Sequence, residues 1–398
     1  MRGASKVKKA LLLCTSHNDL GLVKALRKMG YFIVATGNKE NLPGQKWVDK
    51  YIKADYSDKE LILKIASDEH VDNIIACCND FGVYTAAYVA EKLNLSGYDS
   101  YETTLTLNNK DKFKEFARKY DIMTPFAEGY TDPELAKKDI LNMKLPVIVK
   151  PVDCSAGNGI SVVEEYGHST AAIELAFMKS RASRIVIEPF LKGTQHGFCT
   201  YLLNGKVKAV CTNNEYSIVN PYRVEIDTFP ATDYEKYSGI IIEQIEKIAQ
   251  ILKLKDGIFH LQYMVCDGKP WILEVMRRTI GNMYHVLGNQ LNLINWEYWE
   301  ARARLGLDCS DFPQAIEQEG FFAYKTILGS KNGVIRDIHI PKDYEKFIFD
   351  KMILLDVGDE ISDYMNQPVG FVFMMFSTAS EMNEVLIENY RNDLVIMD

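Results

Sequence analysis

Lys150 lies where an apolar strand meets a loop of small residues. The stretch 145–165 reads LPVIVKPVDCSAGNGISVVEE, and its two β-branched runs predict a strand, a loop and a second strand. The backbone N–H groups of such a loop are open to phosphate oxygens, and Lys150 would add a positive charge at its mouth. The loop residues are Ser155, Ala156, Gly157, Asn158 and Gly159. The stretch therefore predicts either a phosphate-binding loop or an exposed hairpin loop with a solvated lysine, but not a P-loop, because no Gly-Lys-Ser/Thr follows.

A hairpin at 257–278, GIFHLQYMVCDGKPWILEVMRR, carries a second group of polar side chains. A two-residue loop at Asp267–Gly268 would set polar positions opposite apolar ones. A three-residue loop at 267–269 places Gln262 opposite Glu274 and separates the polar from the apolar positions, so we expect the longer loop.

The predicted register also sets Tyr263 opposite Leu273, and it gathers Gln262, Glu274 and Arg278 on one face of the sheet. With the shorter loop, Gln262 and Glu274 would point to opposite faces. Both strands are too apolar for a sheet edge, so an amide and a carboxylate on this covered face need polar partners. Mg²⁺ would supply them, since it takes few protein ligands and completes its shell with phosphate oxygens and water. The alternative is a solvated sheet face with an ordinary ion pair.

Lys110 opens the segment 108–119, NNKDKFKEFARK, whose spacing predicts an amphipathic helix with Phe113 and Phe116 facing inward. A cation in the first turn of a helix gains nothing from the helix dipole. Lys110 is therefore either a plain surface residue or a residue held there for an anion.

The elements that must position these residues follow two patterns. The first part of the chain alternates strand and helix, which predicts a small parallel sheet covered by helices. Its strands are expected at 9–14, 31–35 and 74–77 and its helices at 20–30, 60–69 and 83–93. The first turn, TSHNDLG, lacks G-x-G-x-x-G, which disfavours a dinucleotide-binding domain.

Later segments predict antiparallel strands, a long helix and a smaller β-rich unit from residue 307 onward. The strands are expected at 184–190, 198–203, 206–211 and 370–376, and the helices at 237–252 and near 380–390.

The composition restricts the class of protein. With 398 residues, 47% hydrophobic and 25% charged, the chain is an ordinary globular protein of two to four domains. The net charge of −8 argues against a nucleic-acid partner. No stretch reaches the ~20 apolar residues of a membrane span, and the apolar run after the basic N-terminus is too short for a signal peptide. The eight cysteines include no C-x-x-C, so we expect reduced thiols and a cytoplasmic protein without a membrane partner.

Taken in order, these features resemble the ATP-grasp superfamily over nearly the whole chain, especially the carboxylate–amine ligases and the related biotin carboxylase and carbamoyl-phosphate synthetase large subunits. Lys110 with DIMTP at 121–125 matches the first lysine and the following turn of that family. Lys150 matches the second lysine, 155–159 the loop that closes on the phosphates, and IEPFL at 187–191 the hinge that contacts adenine.

The metal-binding positions of the family correspond to Gln262 and Glu274. Met276 stands where an asparagine often binds a second metal, and a thioether is a poor Mg²⁺ ligand. Gln195, with His196 beside it, stands where an acid usually binds the ribose. An amide can still hydrogen-bond a hydroxyl.

The resemblance implies a mixed α/β and α+β architecture, the ATP-grasp fold. The expected domains are an N-terminal parallel α/β (pre-grasp) domain at 1–106, an ATP-grasp domain at 107–305 with a lid lobe at about 122–190, and a small β-rich C-terminal domain at 306–398 that completes the ligase.

The resemblance also implies a ligase for small-molecule substrates. ATP phosphorylates a carboxylate, and an amine displaces phosphate from the acyl phosphate to give an amide or peptide-like bond. ATP and one or two Mg²⁺ ions are implied, with Mn²⁺ as an alternative metal. Catalytic roles fall to Arg278 and Glu274, and the metal falls to Gln262 and Glu274. The implied ATP-binding residues are Lys110, Lys150, Ser155, Ala156, Gly157, Asn158, Gly159, Glu188, Pro189, Phe190, Leu191, Gln195 and His196.

Substrate residues are sought in NNEYSIVNPYRVEID, the region that lines the acceptor pocket in such ligases. Glu215 and Arg223 are the candidates, with Glu225 nearby and a surface position as the alternative for each. Arg223 is the first to test, because arginine suits a bidentate carboxylate contact. A homodimer is compatible with this interpretation. The competing hypothesis is a non-catalytic ATP-binding regulator or assembly protein with the same fold.

Overall fold

The computed structural model describes residues 7–154, 157–316 and 318–398. Ser155 and Ala156, two residues of the predicted phosphate loop, therefore lie outside the described residues.

The N-terminal part contains the predicted small parallel sheet, which has four strands in the order β3-β2-β1-β4. Its strands are β1 (Lys9–Leu13), β2 (Phe32–Gly37), β3 (Lys50–Lys53), which was not predicted, and β4 (Asn73–Ile75). Its helices are α1 (Leu20–Lys28), α2 (Lys59–Asp68), α3 (Asp80–Leu93) and α4 (Tyr101–Asn108). Successive residues of β1 enter separate apolar clusters on the two faces, so helices cover the sheet on both sides.

Helix α5 (Lys110–Lys119) leads into a smaller lobe built on an antiparallel sheet, ordered β5-β8-β6-β7. We call this part the lid. Its strands are β5 (Glu128–Tyr130), β6 (Val147–Pro151), β7 (Ser161–Val163) and β8 (Ile185–Pro189), and its helices are α6 (Pro133–Ile140) and α7 (Ser169–Lys179). The predicted strand, loop and strand around Lys150 is the pair β6 and β7.

A central eight-stranded antiparallel sheet has the order β13-β12-β9-β10-β11-β14-β18-β16. Its first five strands are β9 (Thr194–Leu203), β10 (Lys206–Tyr216), β11 (Ile226–Phe229), β12 (Gly257–Cys266) and β13 (Lys269–Met276). Three helices accompany them: α8 (Tyr234–Leu252), α9 (Tyr284–Asn292) and α10 (Trp296–Arg304). Isoleucines of α8 at helical spacing pack on one face of the sheet, while α9 and α10 contribute to the core on the other.

The C-terminal part extends this sheet and adds a small one. The strands are β14 (Phe321–Ile327), β15 (Gly333–Ile338), β16 (Ile348–Ile353), β17 (Glu360–Ile361), β18 (Gly370–Phe376) and β19 (Val395–Met397). The helices are α11 (Lys342–Glu345) and α12 (Ala379–Asn383). Strands β14, β16 and β18 belong to the central sheet, and the small sheet has the order β17-β15-β19. The predicted domain limits remain predictions. No helix among the described residues is long and apolar enough to cross a membrane.

Candidate functional site

The hairpin of β12 and β13 turns more tightly than the sequence predicted. Cys266 pairs with Lys269, so the loop has two residues, Asp267–Gly268, and both have positive φ, at 51° and 70°. This geometry suits the right-handed twist of a hairpin, and the predicted three-residue loop is wrong. Next to the turn the register is that of the short loop, because Tyr263 pairs with Ile272.

A β-bulge at Leu273 then shifts the register by one residue. Gln262 consequently pairs with Glu274, as predicted. The pairing of Tyr263 with Leu273 is wrong for the same reason. Strand β13 is also an edge strand, contrary to expectation, but its outer edge is not bare, because the Ile272 N–H donates to the Met123 carbonyl at 2.9 Å.

A cavity of about 600 Å³ lies between the N-terminal part, the lid and the central sheet. Its volume is in the range that holds small ligands. Of the predicted site residues, the following line it: Lys110, Lys150, Gly157, Glu188, Pro189, Phe190, Leu191, Gln195, Glu215, Arg223, Gln262, Glu274 and Arg278. Residues far apart in the chain are thus brought to one place by three different parts of the fold.

Among the predicted ATP-binding residues that the structure describes, three do not line this cavity. His196 is buried with its ring stacked on Tyr263 at 5.0 Å, and its Nε2 lies 2.7 Å from Thr194 Oγ1. It follows Gln195 on β9, so the two side chains point to opposite faces, and only Gln195 reaches the cavity. Asn158 is exposed.

Gly159 packs instead against lid residues. A Cβ at this glycine would stand 2.8 Å from the side chains of both Lys179 and Pro151. Its φ of 78° lies in the left-handed region, which favours glycine.

Lys110 begins helix α5 and points at the hairpin. Its Nζ donates to the Cys154 carbonyl at 2.7 Å and lies 3.5 Å from a carboxylate oxygen of Glu274. The ammonium group therefore lies between the phosphate-loop segment and the predicted metal site, where a polyphosphate bridging the two would meet it.

Glu188 lies between two lysines beneath the predicted hinge. Its carboxylate is 2.5 Å from Lys150 Nζ and 3.0 Å from Lys114 Nζ, and the side chains of Glu188 and Lys114 are only 2% and 3% exposed. Burial opposes the charge of Glu188, but the two ammonium groups outweigh it and lower the pKa of the carboxyl to about 2. Burial lowers the pKa of Lys114, which also donates to Thr124 Oγ1 at 2.6 Å.

Glu215 connects the predicted ribose position with the predicted metal position. Its Oε2 accepts hydrogen bonds from Gln195 Nε2 at 2.7 Å and from Gln262 Nε2 at 2.6 Å. Burial raises the pKa of the Glu215 carboxyl to about 7. The substrate role predicted for Glu215 stays a prediction. Its contacts place Glu215 beside Gln262, which is the strand partner of Glu274.

The donor set at this position fits a hard cation. It combines the carboxylates of Glu215 and Glu274 with an amide, and the Gln262 oxygen stays an acceptor because its nitrogen serves Glu215. No cluster of three or more His, Cys, Asp or Glu suited to a metal occurs in the described ranges. An amide in the set accounts for this, because only two of the three oxygen donors are acids.

Arg278 is buried and held from the N-terminal part. Its Nε donates to Asp80 Oδ1 at 2.7 Å, and Nη1 donates to the Thr279 carbonyl at 2.9 Å. Burial disfavours its charge, but Asp80 outweighs burial and raises the pKa of the guanidinium. The Met276 sulfur lies 3.3 Å from Nη2. Met276 thus packs on the arginine, at the position where an asparagine would have offered an oxygen.

Sequence reasoning missed two charged residues of this site, Lys114 and Asp80. Lys114 follows Lys110 by four residues, so both lie on one face of α5, and this spacing could have revealed it. Nothing local in the sequence marks Asp80, because its contact with Arg278 spans 198 residues.

The chain is similar to known proteins in sequence and in fold. A family model for the ATP-grasp (A) domain of phosphoribosylglycinamide synthetase matches residues 108–221. The carbamoyl phosphate synthase large chain of Clostridium beijerinckii is 23% identical over 275 residues, which are 65% of this chain and 24% of that protein. The chain therefore spans about a quarter of the length of this curated relative.

Solved structures of other proteins superpose on nearly the full length of this chain. The L-amino acid ligase from Bacillus licheniformis has a TM-score of 0.81 at 19% identity, covering 99% of this chain and 100% of that chain. The biotin carboxylase domain of the Hydrogenobacter thermophilus 2-oxoglutarate carboxylase, solved with MgADP, ADP and bicarbonate, has a TM-score of 0.77 at 15% identity, covering 99% and 91%. These likenesses establish the ATP-grasp fold over nearly the whole chain, and the family match identifies residues 108–221 as similar to an ATP-grasp (A) domain.

Proposed function

We propose that this protein is an ATP-dependent carboxylate–amine ligase that forms an amide or peptide-like bond through an acyl phosphate and releases ADP and phosphate. The observation that carries the proposal is the meeting of five side chains in one cavity: Lys110, Lys150, Gln262, Glu274 and Arg278. Phosphoryl transfer needs alignment and charge neutralisation more than covalent help from the protein, and these are the groups that supply both.

The nucleotide is assigned to the lid side of the cavity. The hinge, residues 188–191, lines the wall together with the apolar side chains of Ile148, Val162 and Leu273. A flat base fits between such walls, and backbone groups of the hinge would hydrogen-bond its edge. The side chain of Glu188 is taken up by its two lysines, so we assign it a role in holding Lys150 and not in contacting the base.

The phosphates are assigned to Lys110 and Lys150, which both line the cavity. Glu274, Gln262 and Glu215 would hold Mg²⁺, which when bound neutralises phosphate charge and orients the transferred group. The MgADP named for the biotin carboxylase domain supports this assignment by analogy of fold.

The reaction has two steps. An oxygen of the substrate carboxylate attacks the γ-phosphorus, the bond to the bridging oxygen breaks, and ADP leaves. The amine nitrogen then attacks the acyl carbon, the bond from that carbon to the phosphate oxygen breaks, phosphate leaves, and the nitrogen loses a proton. Arg278 would bind the transferred phosphoryl and the acyl-phosphate oxygens, since a guanidinium can hold two oxygens at once. Arg223 is proposed for the substrate carboxylate.

An ADP-release assay tests the proposal. Purified protein with Mg²⁺ and ATP is incubated with a mixture of the twenty common amino acids, which offer both carboxylates and amines, and with pools of other carboxylates and amines. ADP release that requires the pool, together with a condensed product detected by mass spectrometry, would support a ligase. Tight ATP binding without pool-dependent ADP release would favour the non-catalytic regulator. Met276 and Gln195 support that alternative, because each departs from the residue usual in the family.

A further inference from the structure

The loop 217–225 joins β10 to β11 and forms part of the cavity wall. Five of its residues line the cavity: Ser217, Pro221, Tyr222, Arg223 and Val224. Glu225, which the sequence analysis named near the candidate substrate residues, does not line the cavity. Its side chain is buried beneath the loop.

The Glu225 carboxylate is held by two groups of the C-terminal part. Its Oε1 accepts from Lys325 Nζ at 3.0 Å and from the Tyr390 hydroxyl at 2.7 Å. The two partners also contact each other, because the ammonium lies 3.9 Å from the centre of the Tyr390 ring. The Lys325 and Glu225 side chains are each 2% exposed, so water does not screen the pair.

The other carboxylate oxygen of Glu225 reaches back into the loop. Oε2 accepts from the backbone N–H of Val219 at 3.2 Å. One buried side chain thus ties the start of the loop to β14 and to Tyr390 near the chain's end. This is the kind of contact that fixes a loop which would otherwise be free on the surface.

Residues in the middle of the loop make further contacts with the C-terminal part and with the lid. Asn220 Nδ2 donates to Asn366 Oδ1 at 3.0 Å, and the Arg223 guanidinium donates to the Asn366 carbonyl. Toward the lid, the loop touches the phosphate-loop segment, since a Cβ at Gly157 would stand 2.4 Å from the Cβ of Tyr222. The loop therefore lies between the C-terminal part and the segment assigned to the phosphates.

We propose that Glu225, clamped by Lys325 and Tyr390, is a positioning residue that fixes the loop 217–225 and so sets where Arg223 meets the acceptor substrate. The C-terminal part thereby determines acceptor recognition without touching the acceptor through this cluster. The inference deepens the proposed function and rests on it for the acceptor, while the ordering of the loop can be measured without turnover.

The decisive variant is Glu225→Gln with Lys325→Met, which removes both charges and leaves neither buried alone. Hydrogen exchange followed by mass spectrometry should show amides of 217–225 exchanging at least about tenfold faster, because the carboxylate that holds Val219 is gone. In the ADP-release assay with the mixture of the twenty common amino acids, the pool concentration for half-maximal rate should rise about tenfold. The half-saturating ATP concentration should change less than the pool concentration, because the loop meets the phosphate segment through Tyr222 at Gly157, whereas Arg223 itself is assigned to the acceptor. Tyr390→Phe, which removes one hydrogen bond, should move the same quantities in the same direction by less.

The matched control is Glu300→Gln with Arg304→Met. Glu300 is a buried carboxylate that likewise accepts hydrogen bonds from a cationic side chain, the guanidinium of Arg304 at 2.8 Å, and from a backbone N–H, that of Ile258 at 2.7 Å. The control should lose stability without changing exchange of the loop.

Unchanged exchange of 217–225 in the Glu225 double variant, or an equal change in the control, would overturn the inference. If the double variant does not fold, Tyr390→Phe decides by the same two readouts. If hydrogen exchange of the loop changes in the variants as expected but the wild-type protein releases no ADP, the proposed ligase activity is refuted. The positioning role of Glu225 in ordering the loop is then still supported.

Discussion

Glu188→Gln is the sharpest test of how the nucleotide side of the cavity is built. The substitution keeps the shape of the side chain and removes the negative charge that lies 2.5 Å from Lys150 Nζ and 3.0 Å from Lys114 Nζ. Lys150 can turn toward the cavity, which it lines. Lys114 has no such escape, because its side chain is 3% exposed, and it would remain as a buried ammonium group supported by Thr124.

Two routes give the size of the effect. Removing one partner of a buried ion pair costs about 3–5 kcal/mol of unfolding free energy. Independently, the pKa of Glu188 falls from its ordinary value of 4.5 to about 2, and at about 1.4 kcal/mol per unit that shift corresponds to about 3 kcal/mol. We therefore expect Glu188→Gln to lower the free energy of unfolding by about 3 kcal/mol near neutral pH.

The pH dependence supplies the signature. Because the native pKa of Glu188 lies below its unfolded value, its stabilising contribution is complete above pH 4.5 and is lost as the pH falls toward about 2. The difference in stability between wild type and Glu188→Gln should therefore be largest near neutral pH and shrink below pH 4.5. Urea unfolding followed by tryptophan fluorescence at several pH values measures it.

Two lysine variants separate stability from binding. Lys114→Met should destabilise the fold more than Lys150→Met, whereas Lys150→Met should weaken ATP binding more. A difference between wild type and Glu188→Gln that stays constant from neutral pH down to pH 3, or that is below about 1 kcal/mol throughout, would refute the account of a carboxylate stabilised by two buried cations.

Three further outcomes are expected. Lys150→Ala should weaken MgATP binding by about 1.5–3 kcal/mol, the worth of a charge-assisted contact, and calorimetry showing unchanged affinity would remove its phosphate role. Leu191→Ala should change nucleotide affinity less than Leu191→Pro, because the hinge is assigned to act through its backbone, and equal effects would count against that assignment. Glu274→Gln should abolish most turnover in the ADP-release assay with the fold intact by circular dichroism, whereas Met276→Asn should keep or raise activity; full turnover in Glu274→Gln would refute the proposed mechanism.

The sequence predicted most of the frame because local patterns determine it. The alternation of β-branched strands and amphipathic helices in the first hundred residues predicted the parallel sheet, and GFVFMMF at 370–376 coincides with β18. Helices α9 and α10 were missed. In α10 the reason is visible, since Glu300 and Arg304 neutralise each other inside the core and hide the apolar face that a pattern search needs.

Charged residues inside the site were predictable only in part. A lysine on a charged helix such as α5 is normally assigned to solvent. Lys114 can be buried because its charge is compensated by the carboxylate of Glu188, which lies 74 positions further along the chain. His196 could have been excluded from the sequence. Adjacent residues of a strand face opposite sides, so once Gln195 is assigned to the cavity His196 must leave it.

The hairpin of β12 and β13 gives the most instructive failure, because a wrong premise led to a correct pairing. The argument from polarity placed Gln262 opposite Glu274 and then inferred the loop length from that pairing, as if the register were uniform from the turn to the site. The chain instead combines the two-residue turn that Asp267–Gly268 favours with the pairing that the site needs, and the bulge at Leu273 reconciles them. Turn chemistry and site chemistry are therefore independent constraints on one strand. A bulge next to a functional face also brings the consecutive residues Leu273 and Glu274 to the same cavity, which regular alternation forbids. As a result Leu273, an apolar residue suited to a nucleotide base, lies directly beside Glu274, the carboxylate assigned to the cation.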